Sequence, residues 1–441
     1  MVQRNEADGN CTPPSILEFP LLLVGTPPQI GNVVVCIIAT LYLFLMVAII
    51  CDEYFVPSVE KLCFAFNMSY DVAGATFLAL ATSSPEFFVT IVATFITEGD
   101  IGIGTIVGSS VFNALAIPGF CGFFSSGKGV GMDWWPTSRD ILWYLIAIAV
   151  FTVFLRDSNI NWFEALTLVL LYFVYLIMLI YDQKIQDKFR FSDKIVPDCF
   201  QNIDNNELTK SKSHLDVDPH EQEDEDEYYN ICKFPRGKSC IESFMWIISW
   251  PFYLLCYLTV PNCRRKKYKN WYGATLILST LWLSVIIYLL SWTITVIGYN
   301  FKIPDSVLGI TLLSIGTSIP EAVSSAIVSR KGYNSMALSN SVASNSCNIF
   351  LCLGIPWCVK CFFFSDEHNV NINSEGLGFS TVSVLTTAGI LYILLCMSHF
   401  TIGHIFGGIC FFLYFAFLVL STLIECNVFG LVNLPECQLT W

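Results

Sequence analysis

The chain has 441 residues, of which 54% are hydrophobic and only 13% charged, and its mean hydropathy is +0.60. That composition excludes an ordinary soluble globular protein of this length and points to a polytopic membrane protein. The net charge of −13 is uneven: acid concentrates at 215–227 (LDVDPHEQEDEDE), and base at Arg264, Arg265, Lys266, Lys267 and Lys269. Neither block lies in an apolar run, so the overall acidity says little about what the protein handles.

Residues 1–28 are polar and lack the basic start and apolar core of a cleavable signal peptide. Asn10-Cys11-Thr12 is a glycosylation sequon, usable if this end is not cytosolic. Apolar runs long enough to cross a bilayer, about 20 residues each, then follow in two groups of five. The first group is expected at 29–51, 72–97, 102–123, 139–155 and 161–181. The second is expected at 272–297, 303–329, 334–358, 378–397 and 401–424. Between them, 182–271 reads as one large loop whose acidic part, 198–230, has the composition of a disordered linker. Within that loop 242–260 is apolar, but Pro251, the aromatics Trp246, Trp250 and Phe252, and the basic cluster after it favour an interfacial segment. A full crossing there would move the second group to the other side. Residues 425–441 form a short tail.

An odd number of spans per group makes the second group enter from the opposite side, so the fold class is all-α: two inverted five-helix repeats. Basic residues set the sidedness. Lys61, Lys128, Arg139, Lys184, Lys188, Arg190, Arg264 to Lys269, Arg330 and Lys331 fall on one side, against Arg4, Arg156, Lys302 and Lys360 on the other. The positive-inside rule puts the loop in the cytosol and both termini outside it, in a plasma or organelle membrane.

The two groups share a motif. Ala81-Thr82-Ser83-Ser84-Pro85-Glu86 and Gly316-Thr317-Ser318-Ile319-Pro320-Glu321 lie in the second and seventh spans, and Asn113 and Asn348 follow the two glutamates by 27 residues. Every equivalent pair is 235 positions apart, including Thr82/Thr317, Ser83/Ser318, Pro85/Pro320, Val107/Val342 and Ser109/Ser344. Each buried carboxylate costs about 2.5–3.5 kcal/mol on insertion scales, so the duplication has a purpose. Each proline is expected to kink or break its helix and free a carbonyl. Glu86 and Glu321 add carboxylates, Thr82, Ser83, Thr317 and Ser318 add hydroxyls, and Asn113 and Asn348 add amide oxygens. Ser109 and Ser344 lie one turn before the asparagines, on the same face. With no His or Cys at these positions, an all-oxygen set suits Ca²⁺ or Na⁺ and disfavours zinc and copper. Two carboxylates are neutralised by one Ca²⁺ or by sodium ions in its place, and the empty, doubly charged site is too costly to carry through an occluded state. That is the logic of an antiporter. The alternative that Thr and Ser merely cap helix breaks while each Glu pairs with a cationic side chain is disfavoured, since only Arg330 and Lys331 lie between motif and asparagine in either repeat.

The residues CDEYFVPSVEK (51–61), DVAGATFLALATSSPE (71–86), GDIGIGTIVGSSVFN (99–113), TSIPEAVSSAIVSRKG (317–332) and PNCRRKKYKNW (261–271) resemble the cation/calcium exchanger superfamily, and within it the potassium-dependent sodium/calcium exchangers. The likeness covers the membrane part but not 198–240. It implies that Glu86 and Glu321 bind calcium and that the neighbouring hydroxyls, with the polar residues of the third and eighth spans, complete the sodium and calcium sites. Two positions depart from that branch. Glu321 stands where it usually has Asp, and Asn348 where it typically has the Asp associated with potassium coupling. The expectation is Na⁺/Ca²⁺ antiport by alternating access with weakened or absent potassium co-transport. Coupling to H⁺ is the alternative, and a channel or an intramembrane hydrolase fits the intramolecular repeat less well.

Ca²⁺ and Na⁺, with K⁺ as a third candidate, are therefore substrates; no enzyme activity, cofactor or nucleic-acid partner is expected beyond ions and lipid. The 18 cysteines lie mostly in apolar runs as small hydrophobes. Cys358 and Cys361 form a lone CxxC, and Cys11, Cys361, Cys426 and Cys437 are candidates to pair outside the cytosol. His404 reads as a core or cavity-lining residue, and Gly102, Gly104, Gly407 and Gly408 as points of close helix packing.

Overall fold

The computed structural model describes residues 15–20, 30–65, 83–97, 101–124, 130–131, 134–157, 159–190, 240–263, 265, 268, 270–330, 334–364, 369–371 and 376–429. Eleven helices run through them: α1 (30–65), α2 (84–97), α3 (101–124), α4 (Trp134–Phe154), α5 (Trp162–Arg190) and α6 (Cys240–Thr259), then α7 (Tyr272–Phe301), α8 (305–330), α9 (334–363), α10 (Gly376–Met397) and α11 (His404–Glu425). Eight are long and apolar enough to cross a membrane; α2, α6 and α8 contain shorter apolar stretches. Nine of the expected spans correspond to helices; of the second, expected at 72–97, the part at 84–97 is helical and 72–82 lies outside the described residues. The first runs beyond its expected end, through a π turn at Cys51–Phe55 and on past Pro57 to Ala65. Pro57 is tolerated because it follows a wide turn whose hydrogen-bond ladder is already shifted. The acidic stretch 198–230 lies outside the described residues.

Two short antiparallel strand pairs tie the ends of the bundle. β1 (Val130–Gly131), between α3 and α4, pairs with β4 (Thr401–Ile402), between α10 and α11. β2 (Asn159–Asn161), between α4 and α5, pairs with β3 (Asn369–Asn371), between α9 and α10. Each pairing puts connections from both repeats at one end of the bundle, as an inverted repeat requires. Helix α6 packs along α1 and α7: Phe252 and Cys256 are buried with Val47, Ile50, Leu283 and Ile287. The Phe252 ring meets Trp282 edge-on with centroids 6.1 Å apart, within the roughly 4.5–7 Å typical of such pairs. The Lys61 ammonium donates to the Cys263 carbonyl and holds the following turn to the end of α1.

The apolar interior falls into two main clusters. One joins α1, α2, α6, α7 and part of α8; the other joins α3, α4, α5, α9, α10 and α11 around Leu115, Tyr144, Leu168, Trp357 and Leu391. Helix α3 is buried from Ile101 to Gly119 on every face, so it has no lipid side and lies at the centre.

Its glycines explain that position. A Cβ on Gly108 would stand 2.2 Å from the Ile310 carbonyl oxygen and 2.5 Å from Ser314 Oγ, and one on Gly309 2.5 Å from the Ile101 carbonyl oxygen. Helices α3 and α8 therefore cross backbone against backbone, as small residues at four-residue spacing permit. Gly102, Gly104 and Gly407 also sit at close crossings, whereas nothing lies within 4 Å of a Cβ on Gly408. Gly108→Ala is expected to destabilise the protein by about 1–3 kcal/mol through overpacking. Gly273→Ala, in open space, is expected to stabilise by about 0.5–1 kcal/mol through helix entropy. Thermal unfolding in detergent, followed by intrinsic fluorescence, checks the opposite signs.

Candidate ion-binding site

Helix α2 begins at the first motif. Ser83 is its N-cap residue, with φ −86° and ψ 9°, Pro85 lies in the first turn, and Glu86 follows. A proline costs no hydrogen bond there, and an acid is favoured near the positive end of the helix. Thr82 lies outside the described residues, so the chain before this start is not part of the comparison. At the second motif the expected break is absent: the helix runs unbroken from Ser314 to Arg330 through Pro320. The irregularity in α8 is instead a π turn at Gly309–Leu313. The bond that Pro320 forgoes is the one to Gly316 four residues back, and Gly316 is packed against Phe44 of α1, whose ring would lie 2.0 Å from a Cβ there. Phe44 of α1 thus packs at the point where the helix's own ladder lacks a rung.

The two carboxylates end up buried together, Glu86 2% and Glu321 8% exposed. Each takes a hydrogen bond from the opposite repeat. Ser318 Oγ donates to Glu86 Oε1 (3.2 Å), with the Thr317 hydroxyl against the same carboxylate. Asn113 Nδ2 donates to Glu321 Oε2 (3.0 Å), and Ser344 Oγ to Glu321 Oε1 (2.7 Å). The charges of Glu86 and Glu321 also act on each other directly. Buried carboxylates this close repel, so the arrangement calls for a cation or a proton between them.

Asn113 and Asn348 each lie at the start of a π turn, Phe112–Ala116 in α3 and Asn348–Leu353 in α9. Such turns widen the helix and favour functional sites. Using its amide nitrogen on Glu321 leaves Asn113 Oδ1 buried without a partner; Ser83 Oγ is likewise unpartnered. Those oxygens are available to a cation. Ser109 behaves differently from Ser344: its hydroxyl turns back to the Ile106 carbonyl (3.3 Å). The structure thus brings Ser83, Glu86, Asn113, Thr317, Ser318, Glu321, Ser344 and Asn348 into one region, with Ser109 at its edge.

Several residues of this region were not singled out from sequence. Ser341 Oγ donates to the Asn113 carbonyl (2.7 Å), and Asn345 Nδ2 to the Ser110 carbonyl (2.9 Å), which also receives the Tyr144 hydroxyl (3.1 Å). Ser110 and Asn345 fall on the same 235-residue offset, hidden because they are not identical residues. Two thiols also approach. Cys352 Sγ lies 3.6 Å from Asn348 Oδ1 and 3.9 Å from the Ser83 carbonyl oxygen, and Cys51 Sγ 3.7 Å from Ser84 Oγ. Cys352, four residues after Asn348 and so on the same helix face, brings a thiol beside the oxygen set. Among the described residues, no three His, Cys, Asp or Glu side chains form a metal cluster.

Other expectations resolve away from this centre. His404 is exposed at the start of α11, against Phe123 (6.4 Å between rings), and is not a core residue. Cys358, Cys361 and Cys426 are free thiols, so the CxxC is not a disulfide; Cys11 and Cys437 lie outside the described residues.

A family profile described as "Sodium/calcium exchanger protein" matches residues 36–181 and 271–423. The chain belongs to the sodium/calcium exchanger family. The two matched blocks cover most of the two groups of five helices and leave out 182–270. "Sodium/potassium/calcium exchanger 4" of Homo sapiens is 31% identical over 97% of this chain and 88% of its own length. "Sodium/potassium/calcium exchanger 5" of Homo sapiens is 32% identical over 92% and 86%. A solved structure of the sodium-calcium exchanger NCX_Mj aligns with TM-score 0.47 and 19% identity, covering 87% of this chain and 98% of the other.

In this exchanger-family chain Asn113 is the bond that joins the repeats at Glu321. Asn113→Ala is expected to lower stability by about 1.5–3 kcal/mol, the worth of a hydrogen bond to a charged group. Ser109→Ala, which removes only a bond within one turn, is expected to cost less. Thermal unfolding in cation-free buffer distinguishes them.

Proposed function

We propose that this chain exchanges Na⁺ for Ca²⁺ across a membrane by alternating access. The observation that carries the proposal is the pair of buried carboxylates, Glu86 and Glu321, each hydrogen-bonded from the opposite repeat, with unpartnered oxygens of Asn113 and Ser83 beside them. Glu86, Glu321, Ser83, Thr317, Ser318, Asn113, Asn348, Ser344 and, at the edge, Ser109 form the ligand set, with Thr82 next in sequence. One Ca²⁺ or replacing sodium ions neutralise it. The relatives named above as sodium/potassium/calcium exchangers agree in class.

Access alternates by movement of α1 and α7 over the rest. These helices form one unit, with Thr40 Oγ1 donating to Thr293 Oγ1 (3.0 Å) in an otherwise apolar contact. Phe44 of α1 lies on Gly316, beside the ligand Thr317, so a shift of α1 uncovers or closes the site. The division proposed is an N-terminal segment 1–28, repeats 29–181 and 272–424, a cytosolic loop 182–271 and a tail 425–441, with both termini outside the cytosol. The strand pairings support it: if α6 crossed the membrane, β1 and β4 would face opposite sides.

Asn348 carries no charge, so it offers less to a co-transported K⁺ than a carboxylate does, and potassium dependence is weak or absent. Ca²⁺ uptake into Na⁺-loaded, voltage-clamped proteoliposomes tests both statements. Uptake is expected to follow the outward Na⁺ gradient, to be equal in external K⁺ and Li⁺, and to vanish in Glu86→Gln. Asn348→Asp is expected to make it K⁺-stimulated. Uptake that follows pH and ignores Na⁺ would replace sodium with proton coupling. Gly316→Val is expected to slow uptake at least about tenfold, since a side chain there overlaps Phe44, while Ca²⁺ binding measured by calorimetry persists.

A further inference from the structure

We infer that Cys352 gives the cation site a soft ligand, so that it takes thiophilic divalent cations of calcium's size, Cd²⁺ above all, more tightly than its oxygen donors alone allow. The inference rests on the reading of this cluster as the ion site.

The duplicated motif supplies oxygen only, and Cys352 breaks the symmetry: its equivalent 235 positions earlier is Ile117. The thiol is fully buried, at 0% exposure, yet it does not pack as a plain hydrophobe. It points at two groups of the site from different repeats, Asn348 Oδ1 at 3.6 Å and the Ser83 carbonyl oxygen at 3.9 Å, and the charge of Glu86 acts on it. A second thiol, Cys347, lies within hydrogen-bonding reach. Two independent features mark the spot as one that receives a ligand. Ser83 Oγ, 1% exposed, and Asn113 Oδ1, in a fully buried residue, are both without a partner, and both can accept a cation. Polar atoms that deeply buried are normally satisfied.

Sulfur discriminates among cations where oxygen does not. Ca²⁺ gains little from a thiol, but Cd²⁺, nearly the same size and charge, forms a strong bond to thiolate. As the Cd–S bond forms, the thiol proton leaves to water, so Cd²⁺ binding releases a proton that Ca²⁺ binding does not. The sulfur with the Glu86 carboxylate and the oxygens of Asn348 and Ser83 makes a mixed donor set. No preassembled cluster of three acidic, cysteine or histidine side chains is required.

The test adds CdCl₂ to the purified full-length protein in liposomes. It reads the ultraviolet cadmium–thiolate band with and without excess Ca²⁺, and the ratio of half-blocking Cd²⁺ to half-saturating Ca²⁺ in uptake. Part of the wild-type band is expected to be displaced by Ca²⁺, and that part to vanish in both Cys352→Ser and Cys352→Ala. Losing a group that only hydrogen-bonds to a metal ligand already costs about 10–100-fold in metal affinity, so losing the sulfur itself is expected to raise the ratio at least about tenfold. Cys426→Ser, an exposed thiol outside the site, is expected to keep both values. A merely structural role would move Cd²⁺ and Ca²⁺ together and leave the ratio alone. A Ca²⁺-displaceable band that persists in both Cys352 variants, or an unchanged ratio, overturns the inference. If wild type keeps the displaceable band but shows no Na⁺-driven uptake, the exchange reading falls and the thiol assignment stands.

Discussion

Burying two carboxylates in the middle of an apolar helical bundle constrains everything around them. Glu86 takes its side-chain hydrogen bonds from the second repeat, and Glu321 takes one from each repeat, so both carboxylates depend on donors from the other half of the chain. The halves must therefore be interleaved, with α2 against the second repeat and α8 against the first. Bringing backbones close enough for short side chains such as Ser and Asn to bridge them requires a crossing without bulk. Gly104, Gly108 and Gly309 provide it.

The site's hydrogen bonds also set its chemistry. By donating its nitrogen to Glu321, Asn113 fixes which end of the amide remains for a cation. Serine, threonine and asparagine donors hold the two carboxylates, and those neutral donors leave a deficit of positive charge. A cation supplies that charge better than any neutral donor. Rigid holding and incomplete neutralisation together favour a site that empties only when another cation fills it.

The two repeats are not equal in detail. Ser344 serves Glu321, whereas Ser109 turns back on its own helix; α8 runs through its proline, whereas α2 starts beside its own. Cys352 faces the site from one side only. Ion sites built from diverged duplicates need not be symmetric, and unequal ligand fields let one pair of carboxylates hold cations of different charge and hardness.

Much of this was written in the linear pattern. A strict 235-residue offset, carboxylates in apolar runs and an odd number of spans determined the class of fold and the inversion of the repeats and singled out most of the proposed ligands, because periodicity and burial cost are properties of the sequence itself. What the sequence could not decide were matters of backbone path and neighbourhood. That α8 stays helical through Pro320 goes with Phe44, far away in the chain, packed on Gly316. The neighbours Cys352 meets outside its own helix, such as the Ser83 carbonyl, depend on where the other repeat lies. The choice between Asn113's nitrogen and oxygen depends on where Glu321 lies. These are long-range contacts, and only the folded bundle settles them.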